Sequence, residues 1–83
     1  MQEIFKVLGY QKIMRHSWVK RFDEFLLWVY CTEKDNGHIH IQFDLITNDD
    51  TDIGYGQVLT MPKHNLDNIL KTLETNAIQM MGK

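Results

Sequence analysis

The sequence predicts an α+β domain: a small, curved antiparallel sheet of three to four strands, followed by one long C-terminal amphipathic helix. Three observations predict it. HIHIQFDLIT (38–47) alternates strictly, with Ile39, Ile41, Phe43 and Leu45 on one face and His38, His40, Gln42 and Asp44 on the other, the period of a half-buried strand. EFLLWVYCT (24–32), dense in aromatic and β-branched residues, precedes it. Near the end, Leu66, Ile69, Leu70, Leu73 and Ala77 recur at helical spacing.

In chain order, the opening stretch is ambiguous. EIFKVL suits a strand, whereas Ile13, Met14, Trp18 and Phe22 fit one helical face, and Gly9 interrupts either reading. The two central strands are joined by EKDNG, where Asn36 and Gly37 supply the positive φ angles that a tight hairpin turn requires. NDDTDIGYG (48–56) then reads as a polar, acidic turn or exposed loop. QVLTM (57–61) is a short further strand that delivers the chain to Pro62, suited to a place just inside a helix start because its missing N–H would have no partner there. The helix runs up to ~20 residues, about 30 Å, with Met80 or Met81 prolonging its stripe and Gly82 able to end it. Such a helix covers one sheet face and leaves the other open. On the strand at 38–47 the open face carries a polar row, His38, His40, Gln42 and Asp44.

With 83 residues the chain makes a single domain, 1–83. One cysteine, Cys31, excludes an intrachain disulfide, and the longest apolar run, FLLWVYC, is too short to cross a bilayer. The opening lacks the continuous apolar stretch of a secretory signal, so the expected setting is the cytoplasm, with no membrane partner.

Charge divides sharply by position. Residues 1–22 hold Lys6, Lys12, Arg15, Lys20 and Arg21 against one acid, Glu3, a net +4 that the rest of the chain reverses to give −2 overall. The total argues against a nucleic-acid partner, and the asymmetry reopens that question. Within LGYQKIMRHSWVKRF (8–22), cations and rings interleave without one carboxylate. Binders of single strands combine cations that track phosphates with rings on which bases stack. Tyr10, Lys12, Arg15, His16, Trp18, Lys20 and Arg21 supply both, and the other reading of the stretch is a core flanked by solvated cations.

GYGQVLTMPKHNLDNILKTLE (54–74), a glycine-preceded strand turning into a Leu/Ile-striped helix, resembles the end of the single-strand-binding transcriptional coactivators related to eukaryotic positive cofactor four. NGHIHIQFDL sits where that family has its long strand after a glycine turn, so the resemblance covers residues 24–74. It implies a four-stranded curved sheet, a helix that pairs two protomers, grooves for single-stranded DNA, and a role in transcription, replication or recombination. Leu66, Ile69, Leu70 and Leu73 would then serve both core and dimer. Two departures are visible. Gln57 stands where the family has its glycine-flanked lysine, and Asp35, Asn36 and His38 occupy its basic and aromatic positions near the turn. Lys34, with Trp28 or Tyr30, remains as a contact candidate in that region, and the basic surface must come from residues 6–21.

The remaining motifs carry less chemistry. His38 and His40 lie on one side of a strand, about 7 Å apart at the backbone, and a metal site would need a third ligand beside them. Asp49, Asp50 and Asp52, near Asp44, lack the closing glutamate of a calcium loop. With the His38, His40 and Asp44 face they define the alternative function, a small protein-interaction module or inhibitor directed at a partner protein. Cys31 follows LLWVY in a strand and reads as inert packing. No nucleophile elbow, phosphate-binding glycine loop or paired carboxylates occur. The expectation is therefore a non-catalytic protein without metal or cofactor.

Overall fold

The structure, a computed structural model, describes residues 2–47 and 57–81. The order of elements is α1 (Gln2–Val7), β1 (Gln11–Met14), β2 (Ser17–Arg21), β3 (Phe25–Glu33), β4 (His38–Thr47), β5 (Gln57–Pro62) and α2 (Leu66–Met81). Among the described residues the strands form one antiparallel sheet in simple meander order, β1-β2-β3-β4-β5. The α+β class and the sheet-then-helix order are as the sequence predicts, with five strands rather than three or four. The acidic stretch at 48–56 lies outside the described residues, as does Gly82.

The additional elements come from the ambiguous opening. It splits at Gly9, whose φ of +91° ends α1 in a conformation that a side chain disfavours. The Tyr10 amide donates to the Phe5 carbonyl and the Gly9 amide to that of Lys6, at 2.8 and 3.1 Å. This pair of bonds is the Schellman closure of a helix, and the ring contact that accompanies it is Phe5 edge-on to Tyr10 at 5.4 Å. Residues 11–21 then form a hairpin, so Ile13, Met14, Trp18 and Phe22 do not share a helical face.

The central hairpin pairs Phe25↔Thr47 through Glu33↔Ile39. Asn36 (φ +66°) and Gly37 (φ +73°) do take left-handed conformations. The turn is longer than a two-residue link, however, with Asp35–Gly37 as one turn of 3-10 helix enclosed by a hydrogen bond from the Lys34 amide to the His38 carbonyl. Pro62 ends β5, with ψ 138°, and does not start the helix; a 3-10 turn, Lys63–Asn65, intervenes. α2 is thus 16 residues long, about 24 Å.

The parity of the strands sets the core. Leu27, Val29 and Cys31 of β3 and Ile39, Ile41, Phe43 and Leu45 of β4 face α2, which contributes Leu66, Leu70, Leu73 and Ala77, all buried. At the β1–β2 end α1 closes the core, with Phe5 stacked on Trp18 at 4.6 Å and nearly parallel. The opposite sheet face has no helix over it among the described residues.

Candidate functional site

The residues of the basic aromatic stretch do not act as one surface, because consecutive strand residues point to opposite faces. Trp18 pairs with Val29 and Lys20 with Leu27, which puts both on the helix-covered side. Trp18 is 4% exposed and Tyr10 5%. Neither ring has a free face for a base, which corrects their expected role as stacking partners. Lys20 donates to Glu74 of α2 at 2.9 Å, and the Tyr10 hydroxyl donates to the other oxygen of the same carboxylate at 3.0 Å. Burial, then the charge of Glu74 and this hydrogen bond, push the Tyr10 phenol above its ordinary pKa. Lys20 therefore ties the sheet to the helix rather than waiting for a phosphate, and Phe22 and Tyr10 lie beneath its ammonium at 5.3 and 5.7 Å.

The rings that stay uncovered come from β3. Trp28 and Tyr30 alternate with the buried Leu27, Val29 and Cys31, and Tyr30 is 40% exposed. Cross-strand neighbours extend their surface: Trp28 lies opposite Val19 and Asp44, and Tyr30 opposite Ser17 and Gln42. Met14, Ser17, Trp28, Tyr30, Asp44 and Ile46 are among the residues lining a groove of about 510 Å3 here. Asp44 also caps a backbone group, accepting from the Leu45 amide at 3.1 Å.

Cations stand at both ends of β2. Arg21, exposed, ends β2 opposite Leu26. Arg15 and His16 form the β1–β2 turn, where the His16 ring meets Tyr30 edge-on at 5.9 Å and its carbonyl accepts from the Cys31 amide at 2.9 Å. Lys34 is exposed at the β3–β4 turn, away from these. Lys12 pairs with Trp18 and so faces the other side, its ammonium 5.5 Å over the Trp18 ring. There Lys12, Arg15 and His16 share a second cavity, of about 450 Å3, with Phe5, Trp18 and Cys31 among its apolar lining.

The other candidates are dispersed. His38 and His40 lie on the uncovered face, His40 Nδ1 within 3.2 Å of Thr60 Oγ1 and His38 Nδ1 within 3.1 Å of the Asn36 carbonyl. Among the described residues no His, Cys, Asp or Glu group of three converges as a metal site. Asp49, Asp50 and Asp52 lie outside the described residues. Burial, and secondarily the charge of Glu33, push the Cys31 thiol up to about 11, so it stays protonated at neutral pH and is a poor nucleophile. Of the expected dimer residues, Leu66, Leu70 and Leu73 are consumed by the chain's own core and Ile69 is packed against it.

Trp28 and Tyr30 were legible only in part. They belong to a run of aromatic residues in which every position looks like core, and the parity that separates them from Leu27 and Val29 follows only once β3 is registered against the alternating β4. Comparison of the chain with family models, curated proteins and solved structures finds no match to any of them.

Proposed function

We propose that this protein is a non-catalytic binder of single-stranded nucleic acid that uses the uncovered sheet face. One observation carries the reading: two aromatic residues at i and i+2 of the central strand, Trp28 and Tyr30, stand on that face within a groove, and His16 of the basic turn touches the second of them. Bases stack on Trp28 and Tyr30, for each ring offers a π-face that every base can use. Arg21 at one end and Arg15 and His16 at the other hold phosphates, separated by about 20 Å along β2, a span of a few nucleotides. Relative to the expectation from sequence, the ligand class is kept while the stacking residues move from Tyr10 and Trp18 to Trp28 and Tyr30.

The test is fluorescence anisotropy with a labelled single strand of ~20 nucleotides, beside a duplex of equal length, at low and moderate salt. Preference for the single strand is expected, with Trp28→Ala and Tyr30→Ala each weakening binding by about 1–3 kcal/mol. Unchanged affinity in both variants would remove the reading. A second reading, a protein-interaction module, is favoured by the apolar flank of the same groove: Leu26 and Ile46, paired across β3 and β4, with Val19 and the exposed Met14 beside them. No strand binding even at low salt, with folding intact, would favour this one.

A further inference from the structure

The cavity behind the β1–β2 turn has a chemistry of its own. In a regular strand Lys12 and Arg15 would point to opposite faces, being three positions apart. The pairing of β1 with β2 shifts register between Lys12 and Met14, an irregularity that re-aims side chains. It leaves Lys12, Arg15 and His16 lining one cavity. Their low-dielectric backing is the stacked Phe5 and Trp18 pair, and a wall of this kind strengthens the field of the cations before it. Gln2 of α1 and Thr32 of β3 add neutral hydrogen-bonding groups, and the one acid among the described lining residues, Glu33, is already paired with Lys63 at 3.3 Å. At about 450 Å3 the cavity is in the range of small-ligand sites and suits one nucleotide rather than a run of them. His16 belongs to its lining and also touches Tyr30, so the cavity begins where the aromatic platform ends.

We propose that this cavity seats the phosphorylated end of a bound strand, Lys12 and Arg15 holding the terminal phosphomonoester. The proposal rests on the single-strand reading. A terminal phosphate carries about −1.5 to −2 charges at neutral pH, against one for an internal diester, so a convergent pair of cations discriminates in its favour.

The experiment compares ~12-nucleotide single strands of one sequence that carry a 5′-phosphate, a 3′-phosphate or hydroxyls at both ends, with a nucleoside monophosphate as an additional probe. One phosphorylated end is expected to bind about tenfold more tightly than the hydroxyl-ended strand, a difference of about one charge-assisted hydrogen bond, and which end it is identifies the polarity. Lys12→Ala should erase that difference while the hydroxyl-ended strand binds as in the wild type, and Lys12→Arg should restore it. Equal affinity for all three strands overturns the end-site proposal and leaves the strand reading standing. Binding of the nucleoside monophosphate in a Lys12-dependent way, without binding of any strand, supports the cavity's phosphomonoester chemistry and overturns the strand reading. If no probe binds, both fall.

Discussion

The two faces of this sheet carry similar residues to different ends. On the covered face, Trp18 and Tyr10 are locked between α1, β2 and α2, and the cation beside them, Lys20, is claimed by Glu74. On the uncovered face, Trp28 and Tyr30 lie one strand away with their rings partly in solvent, and Arg21, on the same face of β2, is exposed. Composition does not separate the two sets. Position relative to the helix does, and it turns one set of rings into stability and leaves the other available.

The sharpest way to break this comparison is to truncate one ring on each face. Trp18→Ala should cost about 3–5 kcal/mol of stability in urea denaturation, since it removes half of the Phe5–Trp18 stack, whereas Trp28→Ala should cost about 1 kcal/mol. Equal losses would mean that the uncovered face is itself packed against something. Next in size is Glu74→Ala, which leaves the Tyr10 hydroxyl and the Lys20 ammonium without their shared acceptor; a loss of about 1–3 kcal/mol is expected by the same measurement. Arg21→Ala on the other face should leave stability within about 0.5 kcal/mol.

The same network makes stability sensitive to alkali. The Tyr10 phenol has a raised pKa in the folded chain, so its contribution is complete below the unfolded value of about 10 and is lost as pH rises beyond it. Thermal denaturation should therefore show an extra decline above pH 10 of up to about 1.4 kcal/mol per pH unit, absent in Tyr10→Phe. A variant with the same decline as the wild type would show that Tyr10 is not held neutral by its surroundings. The smallest effect concerns salt. If Arg21 contacts one phosphate, Arg21→Ala lowers the slope of log affinity against log salt by about 0.7, with little change for Lys34→Ala at the distant turn.

Much of the fold was legible because β4 alternates without a fault and α2 keeps most of its stripe: Ile39, Ile41, Phe43 and Leu45, and Leu66, Leu70, Leu73 and Ala77, are buried where their spacing puts them, with Ile69 partly buried. The opening stretch was not legible. EIFKVL is too short for its period to decide between helix and strand, and what settles the matter is Gly9, whose carbonyl-capping turn lets Phe5 reach Trp18 and Tyr10. The candidate site suffered for the same reason. A basic aromatic run looks like one surface only while its strand character is unassigned; as a hairpin it divides residue by residue, Lys12, Trp18 and Lys20 to one side and Arg21 to the other.

By itself the sequence determined the class of the fold, the central hairpin with its left-handed Asn36 and Gly37, the buried faces of β4 and α2, and the concentration of positive charge before residue 22. These are local properties, read from periodicity, turn chemistry and charge. Only the tertiary structure decided which rings are covered, that Lys20 and Tyr10 share Glu74 from 54 and 64 residues away, and that a register shift in β1 gathers Lys12, Arg15 and His16 around one cavity. Contacts between residues so far apart depend on which sheet face the helix covers, and no short-range pattern in the chain encodes that choice.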